Sequence, residues 1–349
     1  MFKQILRPAL FGLSRGDPER AHTLIMRQLA IASHIPAALK LIDAVNGYHS
    51  AQLTREVFGL RFPNPIGLAG GFDKNGHALP ALAALGFGFI EAGGVTRHPQ
   101  SGQPRPRIFR LPADEGIINR MGLPNDGADA IAARLAHAPK AGVPIGWQIA
   151  KSKVTPLDDS IDDYLYSLRV LYPFGDYFCV NVSSPNTPEL RRLQERDRLA
   201  ALLGAIVSET KRLAATEQAP PKPVLVKLAP DLSWQEIDAA LEVALAAGVR
   251  GIVATNTTIA RDHLRTMSQE TGGLSGRPIA ARSLDVVRYI CQHVDSQLPV
   301  IGVGGIFDAA DAARMFDAGA ALIQIYTSFI FEGPAVIKRI NRILAEASE

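Results

Sequence analysis

The stretch 176–190, DYFCVNVSSPNTPEL, sets hydroxyl and amide side chains directly behind an apolar run. Tyr177, Phe178, Cys179 and Val180 are strand formers. Asn181, Ser183, Ser184, Asn186 and Thr187 follow at once, wrapped around Pro185 and Pro188. Thr187 before Pro188 reads as an N-cap with proline in the first turn, so a helix is expected to begin there. An α/β barrel presents its chemistry in this way, on loops that leave the strand ends. A polar turn whose Asn and Ser side chains bond only the local backbone has the same look. The other strand ends must decide between them.

Those ends are chemically loaded. Strand candidates lie at 65–69, 87–92, 145–149, 177–182, 224–228, 251–254, 300–303 and 321–325. The first is followed by AGGFDKNG (69–76), whose glycines admit close backbone approach and whose Lys74 brings a cation. The second runs into EAGGVT (91–96), with INRMGLPN (118–125) beyond it. The third ends at Gln148 and Lys151, the fifth at Lys227 before APDLS, and the sixth in ATNTT (254–258), with GGLSGRP (272–278) after it. The seventh ends in GVGG (302–305) and the eighth in IYTSF, with Tyr326 and Thr327. GVGG after strand seven and Tyr-Thr after strand eight stand where barrels bind phosphate. The mouth so assembled holds lysines, amides, hydroxyls and glycines with few carboxylates. That inventory suits an anionic, amide-bearing planar ligand beside a phosphate-bearing cofactor, and hydride chemistry over carboxylate-driven hydrolysis.

Helical patterns separate the strands. Ser233 and Glu236 form a capping box before an Ala/Leu-rich run that stops at Gly248. Asp308 caps another that ends near Gly319. Apolar strands alternating with helices specify a parallel sheet covered on both faces. Eight of them in 349 residues predict an α/β fold of the (β/α)8 TIM barrel type, with a doubly wound open sheet as the competing arrangement.

Residues 1–45 differ from the barrel assigned to 46–349. Phe2, Ile5, Leu6, Ala9, Leu10 and Leu13 recur at helical spacing, and Asp17-Pro18 opens a second helix carrying Ala21, Leu24, Ile25, Met26 and Leu29. Lys3, Arg7, Arg15, Arg20, Arg27 and Lys40 outnumber Asp17 and Glu19 there. A basic amphipathic helical pair fits a membrane-surface anchor; a hairpin that caps the domain gives the same pattern.

Bulk properties exclude several classes. Hydrophobic residues make up 47% and charged ones 20%, so the chain is a folded protein rather than a disordered one. A net charge of +3 without a Lys/Arg block gives no footprint for nucleic acid. Cys179 and Cys291 read as free thiols in a reducing compartment. No apolar run is long enough to span a bilayer, and no signal-peptide pattern opens the chain, so a cytoplasmic or peripheral-membrane location is expected. No Walker lysine motif and no G-x-G-x-x-G after an early strand is present. The eight histidines lack metal-site spacing, so no metal is expected, and His22, His98 and His263 read as surface or structural.

With AGGFDKNG, INRMGLPN, NVSSPNTP, KLAPDLS, ATNTT, GGLSGRP, GVGGI and QIYTSF in order, and DPERAH near the N-terminus, the chain resembles the dihydroorotate dehydrogenases, in particular their class 2, quinone-linked branch. The resemblance covers essentially the whole chain. It implies an FMN-containing (β/α)8 barrel that oxidises (S)-dihydroorotate to orotate in de novo pyrimidine (UMP) biosynthesis and reduces a membrane quinone. It further implies a monomer held peripherally on the cytoplasmic face of the cell inner membrane through its N-terminal helices. Ser184, where class 1 relatives carry a cysteine base, and the N-terminal extension select class 2. Ser184 then takes a proton from C5 while hydride leaves C6, with a relay through Thr187 or an ordered water. The substrate contacts implied are Lys74, Asn119, Arg120, Met121, Gly122, Leu123, Asn181, Asn186, Asn256 and Thr257. The flavin contacts implied are Gly70, Gly71, Phe72, Asp73, Lys74, Gly94, Gln148, Asn181, Lys227, Thr255, Gly276, Gly305, Tyr326 and Thr327. His22 and Arg110 are implied for quinone, with Tyr326 lining the same passage.

Gly94 and Gln148 depart from the family pattern, which has Thr or Ser and Asn at these places. Gly94 can leave its contact to backbone or water, and Gln148 can offer the same amide from one carbon further out. Two other readings remain at this point: a soluble flavin-dependent dehydrogenase of the same fold using fumarate or NAD, and a non-catalytic phosphate-ligand binder. Ser184 and the N-terminal helices argue against the former, and Ser184, Lys74 and Lys227 against the latter.

Overall fold

The computed structural model describes residues 4, 7–262, 264–294 and 298–347. Phe2, Lys3, Ile5 and Leu6 of the expected first helix, and His263, lie outside the described residues. The N-terminal region forms three helices, α1 (Arg7–Leu13), α2 (Pro18–Ala32) and α3 (Pro36–Asn46), where the sequence pattern predicts a pair. The Asp17 carboxylate accepts from the backbone N–H groups of Glu19 and Arg20 and so caps α2, as expected. The start of α3 is concealed in the sequence because Ile35, at its cap position, makes no side-chain cap bond.

A hairpin of β1 (Arg55–Val57) and β2 (Leu60–Phe62) follows, turned by Phe58 and Gly59 at positive φ. That pair of left-handed residues makes the tight turn whose twist suits two antiparallel strands. The chain then runs β3 (Ile66–Leu68), α4 (Leu79–Ala84), β4 (Phe89–Val95), β5 (Ile108–Leu111), β6 (Gly116–Asn119), α5 (Ala128–Leu135), β7 (Ile145–Ile149), α6 (Ser160–Leu171), β8 (Tyr177–Asn181), α7 (Arg196–Glu217), β9 (Val224–Leu228), α8 (Trp234–Ala247), β10 (Gly251–Ala254), β11 (Gly273–Gly276), α9 (Ala280–His293), β12 (Val300–Val303), α10 (Ala309–Asp317), β13 (Leu322–Ile325), α11 (Thr327–Glu332) and α12 (Ala335–Glu346). Strands β3, β4, β7, β8, β9, β10, β12 and β13 pair in parallel, and β13 returns to β3, closing the barrel. Closure rules out the open doubly wound sheet. The helix expected to start at Thr187 does not: a turn and a short 3-10 segment (Leu190–Gln194) intervene, and α7 begins at Arg196.

Strand alternation decides what fills the barrel. At the bottom, Phe89 on β4 and Tyr177 on β8 point inward and are fully buried. Each needs a glycine on a neighbouring strand: a Cβ on Gly67 would lie 2.3 Å from the Phe89 ring, and one on Gly146 would lie 2.0 Å from that of Tyr177. The β1–β2 hairpin plugs this end, with the Phe62 and Phe89 rings edge to face at 5.2 Å. Further along the barrel strands the inward positions turn polar: Glu91 on β4, Gln148 on β7, Asn181 on β8, Lys227 on β9 and Gln324 on β13, all buried. Above that layer the barrel opens into its mouth.

Strands β5, β6 and β11 form a separate antiparallel sheet beside the mouth, in the order β11-β6-β5. One face of this sheet turns Ile108, Arg110, Ile117, Asn119 and Ser275 toward the space between barrel and N-terminal helices. The other buries Leu111, Ile118 and Leu274. Helix α2 is latched to the loop before β5 by Glu19, whose carboxylate accepts from Arg107 at 2.7, 3.0 and 3.2 Å and from Arg105 at 2.9 Å. Burial acts to raise the Glu19 pKa, and the two guanidinium groups outweigh it, so the carboxyl sits below its usual range. Arg107→Ala is expected to cost about 3 kcal/mol, the lower end for breaking a buried pair because Glu19 keeps some solvent contact. Urea unfolding checks this, and an unchanged midpoint would remove the latch from the account.

Candidate active site

One cavity of about 450 Å³ runs from the barrel mouth to the N-terminal helices. Its inner end is polar. Gly70, Gly71, Lys74, Gly94, Gln148, Asn181, Ser184, Asn186, Lys227, Thr255, Asn256 and Thr257 line it, with Asn119, Met121, Gly122 and Leu123 closing one side. Its outer end is apolar, walled by Leu10 and Phe11 of α1, Ala21, Ile25 and Leu29 of α2, and Phe329 and Ile330 of α11. Phe72, His22, Arg110 and Tyr326 stand between the two ends, the rings of His22 and Tyr326 meeting that of Phe72 edge to face at 4.8 and 5.8 Å.

Ser184 leaves β8 on a loop held from several directions. The Asn181 carbonyl accepts from the Tyr164 hydroxyl at 2.8 Å. Arg191 donates to the Ser183 and Thr257 carbonyls and pairs with Asp231 at 2.8 Å. The Asn186 side chain donates to the Asn119 carbonyl at 3.1 Å, and the Asn186 carbonyl accepts from Gln103 at 3.2 Å. These contacts tie the β8 loop, the β6 strand and the loop before β5 around one space. The Ser184 hydroxyl itself accepts from the Asn186 N–H at 3.4 Å. Beside it, the Thr187 hydroxyl is buried and has no hydrogen-bond partner within the protein.

Burial shapes the ionisations here. It pulls the Lys74 ammonium down to about 8, helped by the Arg107 charge and opposed by Glu19 and Asp73. It pushes His22 down to about 3, with the Lys74 charge acting in the same direction, so this imidazole is neutral at working pH. The Tyr326 phenol is raised to about 12 by burial.

Two expected contacts sit elsewhere. Asp73 does not face the cavity; its carboxylate accepts from the backbone N–H groups of His77 at 3.0 Å and Ala78 at 2.8 Å and so shapes the glycine loop. Arg120 points outward, paired with Glu270 at 2.5 Å and stacked on Phe109 at 4.5 Å. It lines an outer vestibule that meets the cavity at Ser184 and Asn186. Gly276, Gly305 and Thr327 line the cavity. Among the described residues no group of three or more His, Cys, Asp and Glu side chains could hold a metal ion.

A flat, phosphate-bearing cofactor fits this lining. Gly71, Gly276, Gly304 and Gly305 take positive φ around it, where a side chain would be strained. A Cβ on Gly276 would come within 2.2 Å of the Glu115 carbonyl and one on Gly305 within 2.3 Å of Ala280, so both loops are packed tightly from behind. Ser328, which lines the cavity, also has a buried hydroxyl with no hydrogen-bond partner within the protein. Buried groups of this kind are normally satisfied.

The sequence profile of the family described as dihydroorotate dehydrogenase matches residues 52–347. The chain belongs to the dihydroorotate dehydrogenase family. A relative from Chloroflexus aurantiacus named dihydroorotate dehydrogenase (quinone) is 51% identical over 99% of this chain and 96% of its own length. One of the same name from Salinispora arenicola is 53% identical over 97% of each chain. Among solved structures, dihydroorotate dehydrogenase of Eimeria tenella in complex with ferulenol superposes with a TM-score of 0.83 at 35% identity, covering 97% of this chain and 95% of that one. The ligand-free enzyme from the same organism gives 0.84 at 37% identity.

Sequence reasoning for this dihydroorotate dehydrogenase family member missed Glu91, Gln324 and Ser275. Glu91 and Gln324 carried a legible signal. Each is a polar residue two positions from an inward apolar one, Phe89 and Leu322, on a strand where alternation fixes the face. Ser275 carried none, because its strand pairs with β6 across the chain.

Proposed function

We propose that this protein oxidises (S)-dihydroorotate to orotate and delivers the electrons to a membrane quinone, with FMN as its bound cofactor, in de novo pyrimidine biosynthesis. One observation carries the reading: a single cavity joins a polar end built from Ser184, four asparagines and two lysines to an apolar end walled by α1 and α2. A small anionic amide and a long apolar acceptor each find matching chemistry in it.

The residues take the following parts. Asn119, Asn181, Asn186 and Asn256 offer donors and acceptors to the ring N–H and C=O groups. Lys74 neutralises the substrate carboxylate. Ser184 Oγ receives the proton leaving C5, and the unpartnered Thr187 hydroxyl or a water carries it outward. FMN, when bound, supplies the acceptor for the hydride that leaves C6, so that a C5–C6 double bond remains. Lys227 offsets negative charge at the cofactor's pyrimidine edge, and the glycines of the β3, β11 and β12 loops hold its flat body and phosphate. Neutral His22 and the Arg110 guanidinium, stacked on Phe11 at 4.2 Å, would meet the quinone head.

Peripheral attachment to the cytoplasmic face of the inner membrane, as a monomer, belongs to the same proposal. The membrane attachment is supported by Ile31, Ile35, Leu41 and Val45, apolar side chains exposed on α2, on α3 and between them. Among the described helices none is long and apolar enough to cross a bilayer alone; α2 and α3 pass that test together, bent by 117°.

Anaerobic addition of dihydroorotate should bleach the flavin bands of the purified protein, and a soluble quinone should restore them where fumarate and NAD do not. Bands that persist would sink the substrate assignment, and reoxidation by fumarate or NAD would sink the acceptor.

The Lys74 role carries a pH signature. With its pKa lowered to about 8, the cationic form prevails below that pH and is lost above it. Attraction for the substrate carboxylate should vanish with it. We therefore expect kcat/KM for dihydroorotate to fall as pH rises past 8, by roughly tenfold per unit at the limit for one essential proton. Lys74→Met should abolish that limb; a limb that survives the substitution would belong to another group.

A further inference from the structure

Glu91 takes no part in the chemistry set out above, and it does not line the cavity, yet it is fully buried behind three side chains that do. Its Oε1 accepts from Gln148 Nε2 at 2.6 Å and from Lys227 Nζ at 3.3 Å, and its Oε2 accepts from Gln324 Nε2 at 3.0 Å. A carboxylate only accepts, so it fixes which way both amides face. Gln148 must turn its Oε1 away, where it accepts from Asn181 Nδ2 at 2.8 Å. Asn181 must then present its Oδ1 to the Ser183 N–H at 3.1 Å, the Ser183 hydroxyl at 3.2 Å and Asn256 Nδ2 at 3.4 Å. Reversing either amide would set N–H against N–H in a water-poor barrel. The polarity of one buried anion thus runs through Gln148 to the asparagines of the substrate side.

Gly94 and Gln148 are matched for this purpose. A Cβ on Gly94 would stand 3.3 Å from Gln148 Oε1 and 3.2 Å from Leu123 Cδ2. A Cβ on Gly70 would stand 2.6 Å from Gln148 Nε2 and 2.8 Å from Glu91 Oε1. The two glycines leave the width that a glutamine needs to bridge from Glu91 to Asn181. Gly94 thus gives room beside the amide of Gln148.

We propose that Glu91 is a positioning residue with two effects. It holds Lys227 as half of a buried ion pair and so sets the net charge offered to the flavin, and through Gln148 it aligns Asn181 for the substrate. This rests on the flavin reading of the cavity. Glu91→Gln keeps the shape and removes the negative charge, leaving Lys227 uncompensated beside the cofactor. Charge near the flavin pyrimidine tunes its electronics, so the anionic reduced form is favoured and the midpoint potential rises. Gln148→Met keeps the ion pair and cuts the link to Asn181. It moves the potential less than Glu91→Gln does and weakens orotate binding about tenfold, the equivalent of one net hydrogen bond to a substrate-facing amide.

The test uses the full-length holoprotein of wild type and both variants, all at the same pH. The flavin midpoint potential is read by spectroelectrochemical titration and the orotate Kd from the flavin spectrum. An upward potential shift in Glu91→Gln, with weaker orotate binding and a smaller potential shift in Gln148→Met, is the expected result. A Glu91→Gln potential equal to or below wild type overturns the inference, as does unchanged orotate affinity in Gln148→Met, which decides alone where Glu91→Gln does not fold. A wild-type protein that takes up no flavin overturns the flavin reading itself, an outcome distinct from bound flavin with an unshifted potential.

Discussion

Ser184→Ala retains bound flavin and slows its reduction by dihydroorotate about 10²- to 10⁴-fold, the range for removing a positioned base. The expectation follows from placement. Ser184 faces the cavity among Asn181, Asn186 and Asn256, and none of the loop's anchoring bonds runs through its hydroxyl as donor. The loop is held by Arg191, Asn186 and Tyr164 instead, so losing the hydroxyl should leave the geometry intact. A serine hydroxyl is a weak base at neutral pH and needs a route for its proton. Thr187 offers an unsatisfied buried hydroxyl on the vestibule side. Thr187→Val should therefore slow the same half-reaction, by less than Ser184→Ala. Anaerobic stopped-flow at the flavin absorption band reads both. Reduction of Ser184→Ala at the wild-type rate would move the base elsewhere, and a Thr187→Val rate equal to wild type would leave the relay to water.

Removal of residues 1–46 separates the two half-reactions. Helices α1 and α2 supply Leu10, Phe11, Ala21, Ile25 and Leu29 to the apolar end of the cavity, and His22 to its waist. Nothing from them reaches the Ser184 loop. Flavin reduction by dihydroorotate should stay within a few-fold of wild type, while quinone affinity drops by roughly a hundredfold. That is about 2.7 kcal/mol, a modest fraction of what burying an apolar tail along two helices contributes at about 25 cal/mol per Å². Arg107 loses its Glu19 partner in the truncated chain, so its stability must be measured alongside. Stopped-flow flavin reduction and steady-state quinone reduction on the same preparation give the answer. Equal loss of both half-reactions in a folded truncated protein would show that the N-terminal helices serve the substrate end as well.

Much of this protein was determined by local sequence. The barrel strands at 145–149, 224–228, 251–254 and 300–303 fall where apolar β-forming runs place them, because a strand buried on both faces must be apolar along its length. The caps at Asp17, Ser233 and Asp308 are bonds within a single turn and need nothing from elsewhere. The candidate site residues were legible too, since loops at the strand ends of a barrel converge on one mouth whatever the details of packing. Glu91 and Gln324 stood in plain view by alternation, and their significance was hidden only because a strand end looks like the start of a loop.

Tertiary structure decided what depends on distant partners. Strand β11 joins the site because it pairs with β6 across the chain, Gly273 opposite Asn119, and no local pattern reports a bond between such remote segments. Arg120 leaves the cavity because Glu270 and Phe109 draw it outward. Thr187 does not cap a helix because the loop it sits in is bound by Arg191 to Thr257 and by Asn186 to Asn119, and those contacts outweigh a local cap preference. The complementarity of Gly94 and Gln148 belongs to this class as well. Each is an ordinary residue in its own strand, and their fit exists only because β4 and β7 lie side by side.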